Sequence, residues 1–210
     1  MIWESCYWKE PLLKTASWLS RFRMHDGTRE STLVKIEKEL MIGFYTIRKL
    51  IEAYKVSDSI ASSHYQISWF PNREPIRYLN WYRIDVLYDL TQETKESRDL
   101  RFLCNRFIHS YVFIIDSSGI FVASDKDRNQ RLYYVSMDTI IKIFRLVGRD
   151  YPAYGSYEYD QKTGKETINL MTGREVKRAD QQERMAETDT PAHERLRIQL
   201  ADGKERNLVS

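Results

Sequence analysis

Asn105 and His109 stand one helical turn apart in Cys104-Asn105-Arg106-Phe107-Ile108-His109, late in a stretch whose apolar residues are Leu100, Leu103, Cys104, Phe107, Ile108 and Tyr111. That spacing predicts a helix over 96–110 with one apolar face, and it places the amide and the imidazole together on the flank of that face. The chemistry such a pair suits is RNA cleavage. A histidine titrates near ~6.5 when unperturbed and can exchange a proton with a ribose 2′-hydroxyl or a leaving oxygen. Asparagine would orient the ring, and Arg101 or Arg106 would hold the scissile phosphate in a fork of donors. The same two side chains also suit an ordinary boundary between core and solvent, and the sequence leaves both readings open.

A second segment carries a different chemistry. Asn72 to Arg83 interleaves Arg73, Arg77 and Arg83 with Tyr78, Trp81 and Tyr82. Aromatic rings stack bases while arginines neutralise phosphates, so Arg73, Arg77, Trp81 and Arg83 are candidate nucleic-acid contacts. Arginine packed on aromatic rings inside an ordinary fold is the alternative. Asp125, Asp127 and Asn129 alternate as a calcium loop begins, but Gln130 holds the place of the glycine and Ser136 that of the closing glutamate. The turn is therefore read as a solvated hairpin. His25 and His64 have no partner at ligand spacing, and neither a Gly-rich phosphate loop nor a nucleophile elbow is present. No metal and no cofactor is expected.

The run Asn105-Arg106-Phe107-Ile108-His109 resembles the motif of the HEPN superfamily: an arginine, a polar residue that is often Asn, three residues, then histidine. Cys104 holds the place of the arginine. The resemblance implies a helical bundle, a role in a bacterial defence or toxin–antitoxin type system, and a site formed across a homodimer. With a complete motif it implies a metal-independent endoribonuclease, here with His109 as acid/base, Asn105 orienting it, and Arg101 or Arg106 on the phosphate. With the arginine missing it implies a non-enzymatic module that binds a protein partner or RNA. A structural cytoplasmic domain without catalytic role is the third reading.

The elements that must position these residues follow from periodicity. Pro11 suits a helix start, and Leu12, Leu13, Ala16 and Leu19 predict a helix over 11–24; a longer one follows over 31–56. His64 to Phe70 alternates like a strand, which Pro71 and Pro75 would confine to a sheet edge or a loop. Segments 111–115, 120–124 and 131–135 read as a three-stranded antiparallel meander, and Ser136 caps a last helix over 136–147 that Gly148 stops. The expected fold is α+β: a helical bundle with the meander at one end, over 1–152. Residues 153–210 contain no Trp or Phe. They read as a charged, hairpin-rich tail that is partly disordered or partner-binding, with hairpins over 157–170 and around Asp202-Gly203 and a charged linker over 173–193.

Composition narrows the classes. At 42% hydrophobic and 13% aromatic residues the chain lies outside the disordered class. A net charge of +3 is far from the footprint of a dedicated nucleic-acid binder and permits contact with RNA or DNA without implying it. Two cysteines, Cys6 and Cys104, cannot build a disulfide framework, and no apolar run is long enough to span a bilayer. The expectation is a cytoplasmic protein with reduced thiols and no membrane contact.

Overall fold

The computed structural model describes residues 2–189. It is an α+β fold in which helices α1 (Cys6–Arg21), α2 (Glu30–Glu52), α5 (Leu100–Ile108) and α6 (Met137–Arg149) cover one face of a five-stranded antiparallel sheet. The strands are β1 (His64–Pro71), β2 (Thr94–Asp99), β3 (Ser110–Ile115), β4 (Gly119–Ser124) and β5 (Arg131–Ser136), in the order β2-β1-β5-β4-β3. The short helices α3 (Asp58–Ala61) and α4 (Ile84–Leu87) lie in the connections on either side of β1.

The meander is present as β3, β4 and β5, and two further strands extend it. His64 to Pro71 is an interior strand, paired with β2 on one side and β5 on the other. Pro71 is tolerated because it is the last residue of the strand, where a missing N–H interrupts no further ladder. The true edge on that side is β2, whose Thr-Lys-Glu-Ser-Arg-Asp sequence covers the free edge with charge. Arg98 therefore lies on a strand and pairs with Glu96 at 2.7 Å. The helix carrying His109 starts only at Leu100, where the Asp99 carboxylate accepts the Phe102 N–H at 2.6 Å.

Strand alternation sorts the sheet into two faces. Ile67, Ile120, Val122, Tyr133 and Val135 face the helices, and Phe70, Val112, Ala123 and Leu132 face the opposite way. The second face is partly covered by the 72–90 connection, which inserts Ile76, Leu87 and Tyr88.

Helix ends also differ from expectation. The first helix begins at Cys6, so Pro11 lies in its second turn. Ser136 caps α6 as expected, accepting the Thr139 N–H at 3.2 Å. Gly148 does not stop that helix. It lies within it, where a Cβ would meet Leu13 of α1 at 2.7 Å; its role is to let the two helices approach.

The segment after Tyr151 contains two strands and a helix as far as it is described. Strands β6 (Pro152–Asp160) and β7 (Lys165–Thr172) form the expected hairpin, turning at Gly164, whose φ of +66° suits glycine. The 173–193 linker is instead occupied by a helix, α7 (Gly173–Asp189). Thr172 and Glu175 cap it reciprocally: the Glu175 carboxylate accepts the Thr172 N–H at 2.6 Å, and the Thr172 hydroxyl accepts the Glu175 N–H at 3.3 Å. The hairpin is tied to the body by the Leu170 N–H, which donates to Asp58 at 2.7 Å. The turn expected at Asp202-Gly203 lies outside the described residues.

Candidate functional site

Helix α5 is fixed by its apolar face. Leu100, Leu103, Cys104 and Phe107 are fully buried. Phe107 stacks on Phe44 of α2 with centroids 3.9 Å apart and meets Phe113 edge-on at 6.1 Å. Burial pushes the Cys104 thiol up to about 12, so this sulfur is an inert apolar filler.

That packing leaves Asn105 and His109 on the open flank, as the spacing predicts. His109 ends the helix with an exposed ring. Together with Asn105, Arg106, Ser124, Asp125 and Lys126 it lines a cleft of about 470 Å³.

The arginines are not arranged as the sequence suggests. Arg106 faces this cleft but is already engaged: it donates to the Ser124 hydroxyl at 2.6 Å and pairs with Asp127. Its guanidinium also lies 4.3 Å from the Phe102 ring centroid and 5.6 Å from that of Tyr133. These contacts bracket α5 to the β4–β5 turn, so the group is not free to clamp a phosphate. Arg101 lines a separate recess with Asp58, Ser62, His64 and Asp99.

The guanidinium that does reach the pair comes from α2. Arg48 donates to the Asn105 side-chain carbonyl at 3.0 Å across 57 residues of sequence. Arg48 also pairs with Glu52 at 2.5 Å; that hydrogen bond, with one from Lys49, holds the Glu52 carboxyl at about 2. No local sequence signal could have found Arg48, because the contact depends on how α2 and α5 pack.

The Asp125 to Gln130 turn has no oxygen set left for a cation. Asp127 holds Arg106, Asp125 pairs with Arg128 at 3.2 Å, and the Asn129 side-chain carbonyl accepts the Ile76 N–H at 2.7 Å. Among the described residues no cluster of three metal-ligating side chains occurs.

The arginine-rich segment 72–83 forms a pegged loop with an exposed tip. Ile76 and Leu87 are buried beneath it. Asn80 braces it from within, accepting the Arg77 N–H at 2.7 Å and donating to the Pro75 carbonyl at 3.2 Å. Above this frame Tyr78 is 81% exposed and Tyr82 59% exposed, with Leu79 and Trp81 beside them. The Trp81 and Tyr82 rings meet at 90° with centroids 6.0 Å apart. Arg73 is held by Asp89 at 2.8 Å; hydrogen bonds from Thr91, then from Arg73, lower the Asp89 carboxyl below its ordinary value. Arg77 and Arg83 are exposed and form no ion pair among the described residues.

The chain matches no protein-family model, no curated protein and no solved structure. Among the described residues no helix is long and apolar enough to cross a membrane.

Proposed function

We propose that this chain is a non-enzymatic binding module that takes single-stranded RNA on the 73–83 loop. One observation carries the reading. Arg77 and Arg83, which form no ion pair among the described residues, flank an exposed Tyr78, Trp81 and Tyr82 on a loop braced by Asn80. Exposed rings beside free guanidinium groups supply both halves of single-strand binding, stacking for bases and charge for phosphates. Arg73 contributes to the frame through Asp89 rather than to the ligand.

The loop predicts its own test. Alanine at both Trp81 and Tyr82 removes two stacking surfaces, each contributing roughly 1–3 kcal/mol in single-strand binders. Fluorescence anisotropy of a labelled uridine oligomer should show affinity falling by about 100-fold or more. Unchanged affinity would place binding elsewhere, and a wild type that ignores RNA but retains a protein partner through the same loop would replace the ligand class.

A second reading keeps one observation in its favour. His109 and Asn105 share an open cleft, as a metal-independent endoribonuclease with His109 as acid/base would require. The engagement of Arg106 with Asp127 and of Arg48 with Glu52 and Asn105 weighs against it, since neither guanidinium is free to clamp a phosphate. The HEPN-like reading rests on Asn105 and His109 alone; a protein partner through the 153–210 tail and a two-fold dimer remain proposals of the same kind.

A further inference from the structure

The 72–90 connection covers only part of the outer sheet face. Beside it a groove of about 320 Å³ runs over β1, β2 and β5, and Ser68, Glu93, Lys95, Tyr134 and Ser136 are among the residues that line it. Its wall is a preformed aromatic surface. The half-exposed Tyr134 ring is held by a hydrogen bond of 2.6 Å between its hydroxyl and that of Ser118, and packs at 4.8 Å on Phe121. Gly119 leaves room for it, since a Cβ there would meet the ring at 2.7 Å. Such a fixed ring loses little freedom when a planar ligand stacks on it.

The groove's polar groups are mixed in a specific way. Glu93 is oriented by Ser68, whose hydroxyl donates to one carboxylate oxygen at 2.5 Å, and both oxygens keep acceptor capacity for further donors. Lys95 forms no ion pair among the described residues. An aromatic platform flanked by a carboxylate acceptor and an ammonium donor matches one base better than the rest. Guanine offers N1–H and its 2-amino group to a carboxylate and O6 to a cation. Adenine and the pyrimidines lack that combination of adjacent donors and acceptor.

We infer that this groove binds a guanine base, stacked on Tyr134, with Glu93 accepting from N1–H and the 2-amino group and Lys95 donating to O6. The inference rests on the proposed single-strand reading and deepens it. Tyr134 packs against the apolar cluster of the outer sheet face, to which the 72–90 connection contributes Ile76, Leu87 and Tyr88, so the groove and the loop that would hold the strand lie on the same face of the sheet. The base could arrive as part of a strand or as a free nucleotide, and the recognition chemistry is shared.

The test titrates labelled U4-G-U4 and U9 strands, together with unlabelled GMP and AMP as competitors. U4-G-U4 should bind about tenfold tighter than U9, as expected for one well-placed pair of base contacts, and GMP but not AMP should compete that advantage away. Lys95→Ala, a change on an exposed edge strand, should abolish the preference for U4-G-U4 over U9. Preference retained in the strand without competition by GMP would restrict the source to RNA. Equal binding of the two strands by wild type would overturn the inference while leaving the loop reading intact; binding of neither strand would overturn both.

Discussion

Replacing Lys9 by alanine is expected to cost roughly 3–5 kcal/mol of folding stability, the range found when one partner of a buried charged network is removed. Lys9 is wholly excluded from solvent. Its ammonium donates to the Lys55 carbonyl at 2.6 Å and to the Asp150 carbonyl, and lies 4.5 Å from the Tyr151 ring centroid. The Asp150 carboxylate in turn accepts the Ser57 N–H at 2.6 Å and its hydroxyl at 3.0 Å. One clasp thereby joins α1 to the chain after α2 and to the end of α6. Alanine would leave two carbonyls without a donor and a buried carboxylate without a nearby cation. Urea denaturation of wild type and variant measures the cost, and a difference under about 1 kcal/mol would show the clasp to be dispensable.

The same lysine predicts a pH dependence. Desolvation is the largest influence on it and lowers its pKa below 10.5, outweighing the neighbouring Asp150 carboxylate. Between that lowered value and 10.5 the unfolded chain binds more protons at this residue than the folded one, so its contribution to stability rises with pH. Buried tyrosines act in the opposite sense: burial raises Tyr65 and Tyr133. The informative quantity is therefore the difference between wild type and Lys9→Met, which should widen as pH rises toward 10.5. A difference that stays flat would mean that the folded-state ammonium is not penalised.

Phe107→Ala is expected to destabilise the fold by about 3–5 kcal/mol, whereas Phe107→Leu should cost under about 1.5 kcal/mol. The ring is fully buried between Phe44 and Phe113, so truncation opens a cavity where α2, α5 and β3 meet. Thermal unfolding distinguishes the two variants. Similar losses for both would show that stacking geometry, not volume, governs this junction. The result bears on the site as well, because Phe107 sets the position of the helix that carries Asn105 and His109.

Local patterns made much of the fold legible. The alternation in 111–135 gave the meander, Ser136 marked a helix start, and the stripe from Leu100 to Phe107 described the buried face of α5. What local patterns misjudged depends on distant partners. His64 to Pro71 reads as an edge because of Pro71, yet pairing with β2 and β5 places it inside the sheet. Gly148 reads as a stop because its closeness to Leu13 is a tertiary fact. The burial of Lys9 has no local signal, because the carbonyls that receive its ammonium come from 46 and 141 residues away. Thr172 and Glu175 are a different case. Their capping spacing is present in the sequence, but the charge density that follows resembles a linker.

The candidate site divides in the same way. The place of His109 and Asn105 on the open flank of α5 follows from helical period, whereas the exposure of Tyr78 and Tyr82 does not follow from an interleaving of arginine and aromatic residues that suits packing equally. The roles of the arginines do not follow from spacing. Arg106 is taken by Asp127, Arg101 turns to another recess, and Arg48 reaches Asn105 from α2.

The most direct test of the central claim follows binding and strand length together. A labelled single-stranded RNA is mixed with wild type, His109→Ala and Arg77→Ala/Arg83→Ala in EDTA, then run on native and denaturing gels. The proposed function predicts intact RNA throughout, retained by wild type and His109→Ala and released by the arginine pair. Cleavage by wild type that disappears in His109→Ala, or retention that survives loss of both arginines, would contradict it.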